Sequence, residues 1–200
     1  MKKKMRRKKS LLLIAILILG CSQFKKNENL KIENEIIGLK TNNDKKKYLE
    51  KILIDDQKVR GNESQEIILK YGYGSKEYLD YNRKQKKTDK LNLLKIEKYL
   101  STYGYPNKEL GKKAVTTPWI VIHHSQDYKT RERNFDKVYK AYLNEDIDYN
   151  AMSLYLGRMY LIKNGKSLNM KSPFKPEDEI NELIKELNLE RKKANAQHRI

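Results

Sequence analysis

Hydrophobic and polar positions follow each other along most of this chain at helical spacing. The longest apolar stretch after the N-terminus, Trp119-Ile120-Val121-Ile122, runs into His123-His124-Ser125-Gln126-Asp127. That pattern predicts a buried helix with titratable groups at its exit. Thr117 is placed to cap it and Pro118 to occupy its first position, with the end near Ser125. Upstream, Tyr48, Leu49, Ile52, Leu53 and Val59 predict a helix over 44–60 with Asp44 as cap. A short helix over 63–70 leads to the glycines of Tyr71-Gly72-Tyr73-Gly74, and a long helix covers 75–101. Gly104-Tyr105-Pro106 reads as a turn, and 108–115 as a helical turn or two. Downstream, Phe135, Val138, Tyr139, Tyr142 and Leu143 give the cleanest amphipathic stripe in the chain. Asp148 is placed to cap the next helix, whose face is Met152, Tyr155, Leu156 and Met159. Tyr160–Lys163, Asn164-Gly165 and Ser167–Met170 predict a small β-hairpin, because Asn-Gly favours a two-residue turn with positive φ. A last helix over 177–193 carries Ile180, Leu183, Ile184 and Leu187. The fold expected is mostly α: a single compact helical domain of about six helices with one small β-hairpin.

The N-terminus has its own pattern. Residues 2–9 are almost all cationic, Leu11–Leu19 are apolar without interruption, and Gly20 precedes the only cysteine, Cys21. This is the arrangement of an export signal, too short to span a bilayer, which needs about 20 apolar residues in a helix. Ile18-Leu19-Gly20-Cys21 resembles the lipobox of bacterial lipoproteins, which implies cleavage before Cys21 and acylation of its thiol. Several acyl chains, at about 0.8 kcal/mol per buried CH₂, would then anchor the mature chain to a membrane. Ser22 after the cysteine resembles lipoproteins destined for the outer membrane, which implies a domain facing the periplasm. The organisation expected is a signal peptide over 1–20, a Lys/Asn/Glu-rich tether over 21–43, a helical domain over 44–172, and a C-terminal amphipathic helix and tail over 173–200. With no second cysteine, no internal disulfide is expected.

The formal charge of +18 would suit a nucleic-acid partner, but seven of those charges lie in the leader, which leaves +11. Tyr71, Tyr73, Tyr78 and Tyr81 near Arg83, Lys84, Lys86 and Lys87 meet the aromatic-basic pattern of single-strand binders only loosely. The envelope address argues against nucleic acid, and anionic lipid or envelope polymer would account for the same charges.

Three polar groups remain as candidate chemistry. Asp56 and Arg60 stand four apart on one helical face, with Gln57 beside them; an exposed pair of this kind contributes only about 0.3–0.5 kcal/mol. Asp89 and Asn92 are three apart. His123, His124 and Asp127 end the buried helix, where His123 reaches Asp127 at i+4 while His124 is turned about 100° away. These histidines lack the His-Glu-x-x-His spacing of zinc hydrolases, so no metal is expected, nor any cofactor.

The ordered set Asp56-Gln57-x-x-Arg60, Asp89-x-x-Asn92, Gly104-Tyr105-Pro106, Gly111, His123-His124, Arg158 and Asn164-Gly165-Lys166 resembles a family of uncharacterised bacterial exported proteins, over about Leu49 to Met170. The resemblance implies that these residues form one group. The chain departs from the family pattern at His123-His124, at Gly157 and at Ser167–Met170.

Two functions suit these residues. One is an anchored binding or scaffold domain in which Asp56, Gln57, Arg60, Asp89, Asn92, His123, His124 and Arg158 line a site for an anionic envelope ligand or a protein partner, with Arg supplying forked donors. The other is a hydrolase with His124 as general base, oriented by Asp56 or Asp89. The absence of a nucleophile motif such as Gly-x-Ser-x-Gly favours binding.

Overall fold

The structure, a computed structural model, describes residues 27–170 and 174–197. The leader, Cys21, Ser22 and Pro173 lie outside them. The chain divides into two compact units between Leu39 and Lys40. In the first, α1 covers 27–37, with Ile32 and Ile36, four apart, both buried. Part of the expected tether is therefore an ordered amphipathic helix.

The second unit contains α2 (Asn42–Lys58), α3 (Glu63–Tyr71), α4 (Lys76–Tyr103), a 3-10 turn (Lys108–Leu110), α5 (Lys112–His124), α6 (Tyr128–Leu143), α7 (Tyr149–Asn164), α8 (Pro176–Glu186) and α9 (Glu190–Gln197). Local chemistry sets four of these starts. Thr41 and Asp44 form a reciprocal capping box on α2, with bonds of 3.1 and 2.9 Å. Ser75 caps α4, Asp127 caps α6 and Asp148 caps α7 through their side-chain oxygens. α5 lies at the centre, against α2, α4, α6 and α7. Ala114, Val115, Val121 and Ile122 of α5 are buried with Leu49 and Ile52 of α2, Ile96 and Tyr99 of α4, Phe135 and Val138 of α6, and Met152, Tyr155, Leu156 and Met159 of α7. Each of the larger aliphatic and Phe side chains among them contributes about 1.5–3 kcal/mol through burial. Trp119 and Ile120 are only half-buried, so the organising helix has a covered side rather than being enclosed all round.

Four expectations are corrected. First, there is no strand among the described residues and hence no hairpin over 160–170. α7 continues through Asn164, and Gly165 closes it in the left-handed region at φ 71°, its N–H donating to the Leu161 carbonyl at 2.8 Å. Asn-Gly serves a helix C-terminus as well as a hairpin turn, and Met159 and Tyr160 still belong to the buried face of α7, which favours helix to its end. Second, α5 begins at Lys112 after Gly111 (φ 87°), and Pro118 lies inside it. Thr117 does not cap: its hydroxyl sits 2.8 Å from the Lys113 carbonyl and 3.2 Å from the Leu49 carbonyl of α2. Third, the helix expected over 177–193 breaks at Asn188, at φ 58°. The Asn188 and Leu189 N–H groups donate to Lys185 and Ile184 carbonyls, both at 2.9 Å, a Schellman closure. Fourth, that break makes two helices, α8 and α9, where one was expected, and brings the described α-helices of this unit to eight where about six were expected.

Candidate functional site

α5 ends at His124, and Ser125 is its C-cap. His123 and Asp127 thus belong to different elements, and Asp127 is engaged elsewhere: its carboxylate accepts from the N–H groups of Lys129 and Thr130 and from the Thr130 hydroxyl. These bonds to the ionised form hold its carboxyl below the usual range. The two histidines face two different clusters.

His124 faces the first. Its Nδ1 lies 3.0 and 3.1 Å from the two carboxylate oxygens of Asp56 on α2, a residue with no exposed surface. Facing a carboxylate, Nδ1 is the donor and carries a proton. Arg60, just beyond the end of α2, clamps the same carboxylate from the other side. Its Nη1 is 3.0 Å from Asp56 Oδ1 and 2.7 Å from the Asp56 carbonyl, while Nη2 is 2.5 Å from Asp89 of α4. Gln57 adds an Nε2 donor to Asp56 Oδ2 at 2.8 Å. Asp56, Gln57, Arg60, Asp89 and His124 are thus brought together by α2, α4 and α5. Asn92, one turn along from Asp89, is buried with its Nδ2 unpartnered among the described residues; it bonds to no member of the cluster.

His123 faces the second cluster, centred on Arg131 of α6, which has no exposed surface. Arg131 Nε donates to the Ser125 carbonyl at 2.9 Å, Nη2 to the His123 carbonyl, and Nη1 to the Tyr155 carbonyl at 3.3 Å. A buried guanidinium thereby closes the C-terminal end of α5, where helix carbonyls concentrate negative charge. Tyr155 replies, its hydroxyl donating to the Arg131 carbonyl at 2.5 Å. Arg131 Nη1 also lies 3.5 Å from His123 Nδ1, which assigns Nδ1 as the acceptor and places the proton on Nε2. Burial first, then Arg131, His124 and Arg158, push the His123 pKa down to about 4, so this ring is neutral at ordinary pH. Burial likewise draws the Arg131 pKa down to about 10, still charged at neutral pH. Arg158 of α7, partly exposed, donates to the Gln126 side chain at 2.7 Å.

The two clusters differ in charge. The first holds Asp56, Asp89 and Arg60, formally −1 before His124 is counted. The second holds Arg131 and Arg158, formally +2, and neither has a carboxylate within 4.0 Å among the described residues. The His123 and His124 rings stand between them, edge to face, with centroids 5.9 Å apart.

Arg131 escapes a reading of composition because Tyr128–Asn134 looks like a solvated charged run. One signal was present: Arg131 precedes Phe135 by four and Val138 by seven, which sets it on the apolar stripe of its own helix. No group of three or more His, Cys, Asp or Glu among the described residues is arranged to hold a metal ion. Comparison of the chain with protein-family models, with curated proteins and with solved structures gives no match in any of the three, so the reading of the α5 exit stands on its own residues.

Proposed function

We propose that this is a lipid-anchored cell-envelope domain that binds an anionic ligand at the exit of α5. The observation that carries the reading is the uncompensated charge of Arg131 and Arg158 beside His123. Arg131 is buried and already bonded to carbonyls, so it supplies field; Arg158 supplies exposed forked donors suited to a carboxylate or phosphate. His123 Nε2–H adds a neutral donor. Arg60, an anion ligand by sequence, is already engaged by Asp56 and Asp89 and holds the scaffold instead.

Trp119 reports on this corner, since its ring meets His123 at 5.9 Å between centroids and it is the chain's only tryptophan. Titrating the full chain with inorganic phosphate and with glutarate, while following Trp119 emission, should give a saturable change. Arg158→Ala should weaken it about tenfold, the loss of about 1.4 kcal/mol. Flat titrations with both anions would refute the reading.

A second reading rests on the Asp56–His124 pair, in which a buried carboxylate orients a histidine that is 23% exposed. That is the arrangement of a general base with water as nucleophile. It requires ester or amide hydrolysis that vanishes in both His124→Gln and Asp56→Asn.

A further inference from the structure

Large apolar side chains are unevenly exposed. Leu69 (87%) and Tyr73 (80%) are among the most exposed, and Tyr71 and Leu79 fall within the same eleven residues. α3 contributes no buried residue. Gly72 and Gly74, at φ 88° and 82°, shape the loop between α3 and α4, and Tyr73 packs on Tyr78 at 4.8 Å. The start of α4 continues the surface. At 100° per residue, Lys76, Leu79, Arg83, Lys86, Lys87 and Lys90 fall within an arc of about 100°, opposite the side on which Tyr81, Asn92 and Ile96 are buried. All six are exposed. Residues 69–90 hold seven cations and three acids, and two of those acids are already paired, Asp80 with Arg83 and Asp89 with Arg60.

We propose that the α3–α4 elbow, led by Leu69, Tyr71 and Tyr73 and backed by the basic stripe of α4, is a docking surface for an anionic bilayer. Apolar and aromatic side chains at a tip partition into the headgroup boundary, and Lys and Arg stems extend their charges to lipid phosphates. Neither alone gives firm peripheral binding; together they do. A soluble partner would leave the long cationic stripe without purpose, and a nucleic acid would leave Leu69 and Leu79 without one. This surface is separate from the anion site at the α5 exit.

The test uses the full chain with vesicles of phosphatidylcholine alone or enriched in phosphatidylglycerol, some carrying brominated acyl chains. Tryptophan is introduced by Tyr73→Trp or, as a control on exposed Leu154 of α7, by Leu154→Trp; the wild type gives the Trp119 background. On phosphatidylglycerol vesicles the bromines should quench position 73 and spare position 154. Arg83→Glu, Lys86→Glu and Lys87→Glu together should relieve that quenching and weaken vesicle binding through the patch about a hundredfold. Equal quenching at the two positions, or none at either, would overturn the proposal. So would single-stranded oligonucleotide binding that the charge reversals abolish while position 73 stays quenched. A chain that floats on both vesicle types with position 73 unquenched keeps the anchor and loses the patch. One that floats only on anionic vesicles, with position 73 quenched, keeps the patch and loses the anchor.

Discussion

Adjacent histidines at one helix end serve opposite kinds of polar centre. On the His124 side a buried carboxylate is surrounded by donors until its charge is answered; on the His123 side a buried guanidinium is surrounded by carbonyls and meets no acid among the described residues. Carbonyl oxygens satisfy the hydrogen-bonding geometry of Arg131 without cancelling its charge. A polar centre can therefore be fully bonded and still project a field, and for recognition the field matters more than the bond count.

The largest effect expected is from Arg131→Ala. It leaves the His123 and Ser125 carbonyls at the end of α5 without their donor and opens a void, a loss on the order of 4 kcal/mol by denaturant unfolding. Arg131→Lys should recover only a small part, since one ammonium cannot span three carbonyls held at these positions. A loss below about 1 kcal/mol would show that the guanidinium is replaceable by water and would remove the contrast between the centres.

Next is Arg60→Ala. As an exposed pair with Asp56 it would contribute well under 1 kcal/mol. Arg60 is instead only 16% exposed and its partner Asp56 about 1%, so its removal leaves a buried carboxylate short of its cation, a loss on the order of 3 kcal/mol. Asp56→Asn in the same background should recover part of it, because the charge to be compensated is gone.

Smaller, and dependent on pH, is the contribution of His123. Its folded pKa of about 4 lies below its ordinary 6.5. Above pH 6.5 the ring is neutral in both folded and unfolded chains and stability is unaffected. Between 6.5 and 4 the unfolded chain takes up a proton that the folded chain refuses, so stability falls with pH and levels off below 4. The fall is on the order of 2 kcal/mol after allowance for solvent screening of a half-buried ring, and His123→Gln should flatten it in pH-dependent melting. Smallest is Arg158→Ala. Its bond to the Gln126 side chain is exposed, so stability should move by less than about 0.5 kcal/mol, while phosphate binding weakens. A large drop in melting temperature would make Arg158 a structural residue.

Sequence pattern placed the helices wherever apolar spacing and cap chemistry agreed. The faces of α6, α7 and α8 are buried at the positions their periodicity marks, Phe135 and Val138, Met152 to Met159, and Ile180 to Leu187. It failed where one local chemistry serves two structures. Asn164-Gly165 offers positive φ to a hairpin and to a helix end alike, and only the burial of Met159 and Tyr160 decides between them. Thr117-Pro118 looks like a helix start, but Thr117 is turned inward against α2. In the site, the spacing of Asp56 and Arg60 was legible, whereas the approach of Asp89 and His124 from two other helices depends on packing that no local pattern encodes. Arg131 was hidden because a charge inside a charged run carries no mark of burial.

The absence of any buried residue in α3 also bears on motion. A helix with no fully buried side chain, Ile67 and Ile68 being only half-covered, is held mainly by its own backbone bonds and by contact with α4, and local opening of such a segment requires little free energy. Its amide hydrogens should exchange with solvent through fraying of that segment alone. Those of α6 and α7, tied crosswise by Arg131 and Tyr155, should exchange only when the whole domain unfolds. The molecule thus carries a gradient of local stability along its length, and the α3–α4 elbow can rearrange on a surface without disturbing the corner where α5 ends.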